Sequence, residues 1–581
     1  VRSAVLTASV LLCVLGGSRA VATSVAEPTG YGYRDASGTT DTREHGDLRV
    51  THRPSVLKPE RGYTPFDVVL QNSGPVPLQV RLTFQGHSSS GPRTAERTVE
   101  VAPRQRLVTW LFLPAEVQAG SLMVGSPGQA SLSPLAHAPV YLERSTGGTV
   151  LVLGTLKDFD DTSGVPRVEA SGSPLFSVRT VEPRDAPREL SGYVGHSVVM
   201  VPGDLASVPA DVWAVLEAYV LTGGRLVLPQ VSSSLTDRLP LLPKEGSRDA
   251  VPYGFGRVLR CGAALECGRT LNAMLGEVIP GPVKPAGDAP RWERSNLLAG
   301  GVAPLLEHAN TPVGRFLLLI FAFVLAVGPG GLMLARRRGP VAVLVAVPLV
   351  SLITCVALVT WSVLVDGFAV HAARYSLTWL DVERSRAVTL GVSAWYANVS
   401  AGPVRFPATS ALLAPDNADE MLADLDWTHG LTVTHGFLPP RTYREWGEVA
   451  VLPSRARLVV RKEGGSVRVQ NALGSRLEQG YVRVGNQHYA LPALEDGAEG
   501  ALGEPLPEGE TPVSRLLSGV GGQSLAEGRL SGGEENFRAP LPEGGFIARL
   551  GGLGPAPSSA VDVELETGVH LVRGQSEEGR P

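Results

Sequence analysis

Lysine is nearly missing from this chain of 581 residues, occupying only positions 58, 157, 244, 284 and 462, so arginine supplies almost all of the 52 basic side chains. That bias is what a GC-rich bacterial genome encodes. With a net charge of −4 and no concentrated basic face, the chain has no global attraction for nucleic acid. Cysteine is as scarce, at positions 13, 261, 267 and 355, which excludes zinc sites built on paired cysteines. No G-x-x-x-x-G-K loop is present, so ATP hydrolysis by this chain is excluded, and no motif calls for a cofactor. H-E-x-x-H and G-x-S-x-G are absent too, and His429 and His435, the closest histidine pair, do not have helical metal-site spacing. The Gly-rich run Gly519 to Gly522 follows no strand pattern and is weak as a phosphate cradle.

Charge is missing altogether from two long stretches, Phe316 to Ala335 (20 residues) and Val341 to Val365 (25 residues). At about 1.5 Å per residue each is long enough to cross roughly 30 Å of hydrocarbon. Only residues 336–340 join them, so a tight antiparallel hairpin is predicted. Arg336, Arg337 and Arg338 place that loop in the cytoplasm by the positive-inside rule. Both large flanking parts are then expected on the opposite, periplasmic face of a bacterial inner membrane, in contact with the lipid bilayer. The N-terminus agrees: Arg2, the apolar run Ala4 to Leu15 and Ala20-Val21-Ala22 predict an exporting signal peptide over residues 1–22. No charge lies within the hairpin, which argues against an ion or proton pathway.

What is abundant is glycine (67) and proline (46), the residues of many turns. Residues 23–47, rich in Gly, Thr and Ser, predict a flexible leader. From 48 to 145 short strand patterns such as Phe66 to Leu70, Leu78 to Phe84 and Arg106 to Phe112 are separated by turn formers, predicting a β-sandwich. The stretch Phe66 to Phe84, with its turn Asn72-Ser73-Gly74-Pro75, resembles immunoglobulin-like modules of bacterial surface proteins.

At 148 the pattern becomes α/β and is expected to continue to about 300. Thr149 to Leu153 and Ser197 to Pro202 are continuous apolar runs suited to strands buried on both faces. Val212, Val215, Leu216, Tyr219 and Val220 recur at helical spacing, Gly223-Gly224 stops that helix, and Arg225 to Leu228 begins another strand. The run Val198 to Pro229 resembles the class I glutamine amidotransferase-like fold. In active members that last strand leads into a G-x-C-x-G elbow. Here the chain continues Pro229-Gln230-Val231-Ser232, and Glu307-His308 has the wrong order for the family's His-x-Glu pair. The resemblance therefore implies an inactive copy kept for binding or architecture.

Residues 367–573 return to strands, among them Val388 to Trp395, Arg457 to Val460, Tyr481 to Val484 and Phe546 to Leu550, predicting a second sandwich. A mobile insert over 494–544 is expected, with a short helix between Ser514 and Leu530, and a disordered tail over 574–581. Two clusters remain as candidate chemistry. Cys261 and Cys267, in an oxidising compartment, predict a small-loop disulfide. Asp158, Asp160 and Asp161 follow the first α/β strand at its carboxyl edge, where open sheets bind ligands, and read as a solvated turn or a cation or ligand site. These features together predict a multidomain α/β plus all-β protein. The leading functional expectation is a non-enzymatic periplasmic scaffold or accessory subunit for another membrane or envelope protein. The alternative is an envelope hydrolase or metal-dependent enzyme using the acidic loop.

Overall fold

The computed structural model describes residues 32–275 and 313–578. Breaks within these spans fall at 39, 59–61, 89–90, 115–116, 128–135, 145–147, 169–175, 229–234, 243–249, 262–266, 270, 272–273, 366–368, 398–401, 414–423, 436, 464–465, 508, 519–536, 538, 553 and 556–562. The predicted signal peptide, the start of the leader, the end of the α/β region, Pro229 to Ser232, Glu307-His308 and the run Gly519 to Gly522 lie outside the described residues.

The architecture is β-rich: one seven-stranded α/β sheet, two pairs of sheets of eight and four strands, and two long apolar helices. In the α/β sheet the neighbours run Tyr33–Asp35, Phe176–Val181, Gly148–Leu153, Val198–Met200, Arg225–Leu228, Gly256–Arg260 and Val251–Tyr253. All pair in parallel except the last, which is antiparallel. The five central strands thus take the chain order 2-1-3-4-5, a doubly wound arrangement. Their apolar runs follow from burial on both faces. Val150, Val152, Val178, Val198, Met200 and Val227 enter one core, while Leu151, Leu153, Val199, Val201, Leu226 and Leu228 enter another shared with the neighbouring sheets. Side chains alternate across a strand, so both parities must be apolar here. The helix Ala210–Leu221 forms as its spacing predicts, and Gly223, at φ +107°, ends it. Gly256 cannot be replaced without distortion: a Cβ there would lie 2.2 Å from the carbonyls of Gly224 and Val220.

The described part of the predicted leader, from Gly32 on, is not free chain. Tyr33–Asp35 is an edge strand of the α/β sheet, and Asp41–His45 pairs with Leu48–His52. Glycine there serves close approach, since a Cβ on Gly32 would meet Val168 Cγ2 at 2.2 Å, and Tyr33 is fully buried beside Phe159 and Phe176.

The first sandwich faces a four-stranded sheet (Asp41–His45, Leu48–His52, Tyr63–Asn72, Arg106–Pro114) against one of eight strands. Five of the eight are local: Gly91–Val101, Leu78–Ser88, Ala119–Gly125, Ala136–Arg144 and Ser55–Lys58. The other three, Val404–Phe406, Leu431–His435 and Asp424–Asp426, come from beyond the apolar hairpin. Asp424–Asp426 joins Thr94–Glu96 in parallel, so the boundary expected at 145 does not close this unit. Trp427 locks the junction. Its ring packs at 5.3 Å on Tyr63 and 4.8 Å on Phe112, its Nε1 donates to Phe112 O at 3.1 Å, and its carbonyl accepts from Arg97 Nε at 2.8 Å. Arg97 also pairs with Glu189. A second lock joins the α/β helix to the C-terminal sheet, where Arg386 donates to both carboxylate oxygens of Glu217 at 2.9 and 2.7 Å and to Asp381 at 2.8 Å.

The C-terminal pair of sheets combines eight strands, centred on Arg386–Ala397, Val370–Asp381 and Val563–Gln575, with a four-stranded sheet. Two expectations are corrected here. Within the predicted mobile insert, Glu499–Ala501 pairs with Arg468–Gln470, and Phe537 is buried against Phe255 at 5.8 Å. Arg573 holds that segment by donating to the carbonyls of Phe537, Ala539 and Pro540. In the predicted disordered tail, Glu577–Glu578 adds to Val459–Val460, because polar side chains do not prevent the backbone from completing an open edge. A short helix, Pro512–Ser518, overlaps only the start of the range in which one was expected, and residues 519–530 of that range lie outside the described residues.

The first apolar helix runs from Val313 to Arg338, widening to π geometry over Ala326–Gly330. Pro329 lies in that bulge, which accommodates its missing N–H. The expected loop over 336–340 shrinks to Gly339, at φ +87°, whose N–H donates to Ala335 O at 3.0 Å, and Pro340 opens the second helix, Pro340–Val365. Arg336 to Arg338 therefore form the last helical turn, where positive charge complements the helix dipole. Leu318, Phe321, Leu344 and Val345 are largely exposed on the helices, as lipid-facing side chains would be.

Two substitutions test the junctions. Trp427→Ala is expected to cost about 3–5 kcal/mol by emptying a closed aromatic site. Glu217→Ala is expected to cost about 3–5 kcal/mol by leaving Arg386 buried without its main partner. Equilibrium unfolding of detergent-solubilised protein measures both, and losses under 1 kcal/mol would show that the parts are not coupled this way.

Candidate functional site

The carboxylates Asp158, Asp160 and Asp161 sit on a helix, Leu156–Ser163, and not in a loop. Thr155 is its N-cap, and the residue order T-x-x-D sets up a reciprocal capping box. Asp158 Oδ2 accepts from Thr155 N at 3.0 Å and Thr155 Oγ1 at 2.6 Å, while Thr155 Oγ1 accepts from Asp158 N at 3.2 Å. The Thr155 hydroxyl, then its backbone N–H, hold the Asp158 carboxyl below the usual carboxylate range. Asp160, turned about 200° around the helix, accepts from Tyr33 Oη at 2.5 Å. Burial of the Tyr33 phenol, and then this bond, push its pKa far up, so it stays a donor. Asp161 faces solvent. Asp158 and Asp161, three residues apart, share one side of the helix while Asp160 lies on the other, and among the described residues no group of three His, Cys, Asp or Glu side chains is positioned to hold a metal.

At the described part of the carboxyl edge, Gly154 packs closely on its neighbours. The strand order reverses between Gly148–Leu153 and Val198–Met200, where doubly wound sheets bind ligands. There a Cβ on Gly154 would lie 3.2 Å from Pro202 Cγ and 3.5 Å from Asp158 Oδ2. The helix end that would greet an anion is already satisfied by its own aspartate.

Cys261 and Cys267 are joined by a disulfide at the end of the strand Gly256–Arg260. Both are buried in the α/β core that contains Leu271, Met274 and Leu275. The disulfide leaves no thiol there for nucleophilic chemistry. Cys355 lies exposed on the second apolar helix.

Sequence reasoning missed a buried polar band in the C-terminal sheet. Arg374 and Glu448, both about 2% exposed at the side chain, pair through Nε at 2.8 Å and Nη2 at 2.7 Å. Ser393 Oγ and Trp446 Nε1 donate to the same carboxylate at 3.3 and 3.2 Å. Beside them Thr378 Oγ1 lies 3.1 Å from Thr389 Oγ1 and 3.1 Å from His570 Nε2. The signal was present as the alternation Arg374, Ser376, Thr378 along one strand. That pattern ordinarily marks a solvent face, yet here both faces are covered. Three hydrogen-bond donors on one glutamate, from Arg374 Nε, Ser393 Oγ and Trp446 Nε1, make this a structural network rather than a reaction centre.

No family model and no curated protein matches this chain. Among solved structures, similarity extends to a β-glucosidase from Listeria innocua in complex with gluconolactone (13% identity, 22% of this chain and 20% of that one, TM-score 0.13). An exo-chitosanase from Amycolatopsis orientalis (11%, 36% and 24%, 0.11) and a β-D-mannosidase from Dictyoglomus thermophilum (8%, 83% and 75%, 0.12) are also similar. This chain spans about a fifth of the first of these and a quarter of the second. At such TM-scores these likenesses carry no argument.

The buried histidines make a pH prediction. Burial, and secondarily Arg374, push His570 down to about 3; burial and Arg179 do the same to His196. An unfolded histidine titrates near 6.5, so below that pH the unfolded chain binds protons that the folded chain refuses. Stability is expected to be fully present above about pH 6.5 and to fall progressively towards pH 3. His570→Gln should flatten that slope in unfolding measured across the range. An unchanged slope would remove His570 from the explanation.

Proposed function

We propose that this chain is a membrane-anchored scaffold or accessory subunit of a bacterial inner membrane, with both large parts on the exported face and no catalysis of its own. The observation that carries the reading is the pairing of Asp424–Asp426 with Thr94–Glu96. Segments before and after the hairpin share one sheet and one core, so both flanks belong on the same face of any bilayer the hairpin enters. The arginines at the hairpin tip favour the cytoplasm for the opposite side. The doubly wound sheet is in keeping with a degenerate amidotransferase-like domain, and the sandwiches with immunoglobulin-like modules. In this reading both serve as rigid surfaces for a membrane or envelope partner. A hydrolase working through Asp158, Asp160 and Asp161 has less support, because two of those carboxylates already cap a helix and hold a tyrosine.

Two experiments test this reading. Val76→Cys and Gly402→Cys, on exposed positions before and after the hairpin, should react with a membrane-impermeant maleimide in cells whose outer membrane alone is opened. Arg337→Cys should react only after the inner membrane is opened. Labelling of Val76→Cys and Gly402→Cys from opposite faces would sink the topology. In-cell crosslinking followed by purification from detergent should recover one membrane or envelope protein in near-stoichiometric amount. Recovery of the chain alone, together with loss of function in the triple Asp158→Ala, Asp160→Ala, Asp161→Ala variant at normal stability, would favour the enzyme instead.

A further inference from the structure

Between the first sandwich and the α/β sheet lies a seam where positive charge exceeds negative. Arg179 projects from the strand Phe176–Val181, on the same side as Leu151 and Val181, and is 3% exposed. Its Nη1 donates to Pro65 O at 2.5 Å, its Nη2 pairs with Asp67, and its guanidinium lies 5.2 Å from the centre of the Trp110 ring. A second guanidinium, Arg53, approaches the same carboxylate, Nε to Asp67 Oδ1 at 4.0 Å, with its side chain 16% exposed. One carboxylate therefore faces two arginines. The nearby pair Arg43 and Asp41 neutralises itself at the surface, at 3.2 Å.

The hydrogen-bonding account is equally unbalanced. Nε and Nη1 of Arg53, Nε of Arg179 and both ring nitrogens of His196 are buried without a protein partner. The turn that contains His196 packs on the first sandwich, where a Cβ on Gly62 would meet Val194 Cγ2 at 3.2 Å and Gly195 N at 3.6 Å, and the buried His196 ring feels the Arg179 charge. Buried guanidinium donors left unpaired are costly, and a cluster of them implies an acceptor that the chain itself does not supply. Water can accept from such donors but cannot neutralise the surplus charge; an oxyanion does both. Ligand sites also favour junctions between structural units.

The geometry points to a small-oxyanion site in this seam, with Arg53 at its rim and Arg179 at its base as the charged donors and His196 as a neutral hydrogen-bonding wall. The ligand class is a carboxylate, phosphate or sulfate group, either free or at the end of a larger molecule. Binding there would also bridge the sandwich to the α/β sheet. The site is separate from the acidic helix and independent of the scaffold reading.

The test uses full-length protein in detergent, titrated with inorganic phosphate, sulfate or acetate at constant ionic strength balanced by chloride. At least one of the three should raise the melting temperature saturably. A tetrahedral anion acting alone would assign phosphoryl or sulfuryl chemistry, and acetate acting alone a carboxylate. Arg53→Gln should weaken the apparent affinity at least tenfold. In chloride alone the same variant should melt no lower than the parent, because it relieves repulsion between two guanidiniums, whereas a merely structural arginine would lower it. The proposal is overturned by a flat response of the parent protein to all three anions, or by an undiminished response in Arg53→Gln.

Discussion

Three strands from the far side of the hairpin complete the first sandwich, and most of the other long-range structure depends on that addition. Gly91–Val101 is an edge until Asp424–Asp426 pairs with it, and an unpaired edge of that length invites pairing with other chains. Trp427 then fills the space between Tyr63 and Phe112, and Arg97 turns towards the Trp427 carbonyl and Glu189. The apolar hairpin thus interrupts a single folded body rather than linking two independent ones. The eight-stranded sheet of the N-terminal part is consequently incomplete until the residues after the hairpin pair with it.

That constraint also explains how the α/β unit is used. One face of its sheet is consumed by the shared core and the other by its own helices and disulfide-bonded edge. Its ligand-prone carboxyl edge is narrowed by Pro202 and by a helix that caps itself with Asp158. The buried ion pair Arg386–Glu217 ties its helix Ala210–Leu221 to the C-terminal sheet. Such pairs contribute modest net stability but penalise any arrangement that separates them, so they specify how the units sit.

Much of the chain was legible from periodicity. The two apolar spans, the tight turn, the doubly apolar strands of the α/β sheet and the helix Ala210–Leu221 all follow from local patterns that need no partner to be recognised. The disulfide Cys261–Cys267 followed from compartment and spacing. Other features misled for physical reasons. Gly and Ser in the leader looked like flexibility, yet Gly32 is small so that chain can pass within contact of Val168. The polar tail looked disordered, although Glu577–Glu578 completes a sheet through backbone alone. The acidic triplet looked like one site, but at helical spacing Asp158 caps the helix, Asp160 turns to Tyr33 and Asp161 faces solvent.

The sequence by itself determined element types, the hairpin and the alternation that makes strands, because these depend on side-chain period and chain length. Only the tertiary structure decided which strands share a sheet, since pairing joins residues as distant as Ala95 and Leu425 through backbone groups that every residue carries. It likewise decided that Arg374, Ser376 and Thr378 are buried rather than solvated. Finally, it placed Arg53 and Arg179 around one carboxylate. Each of those arginines is unremarkable in sequence, and the surplus charge exists only where two separately built surfaces meet.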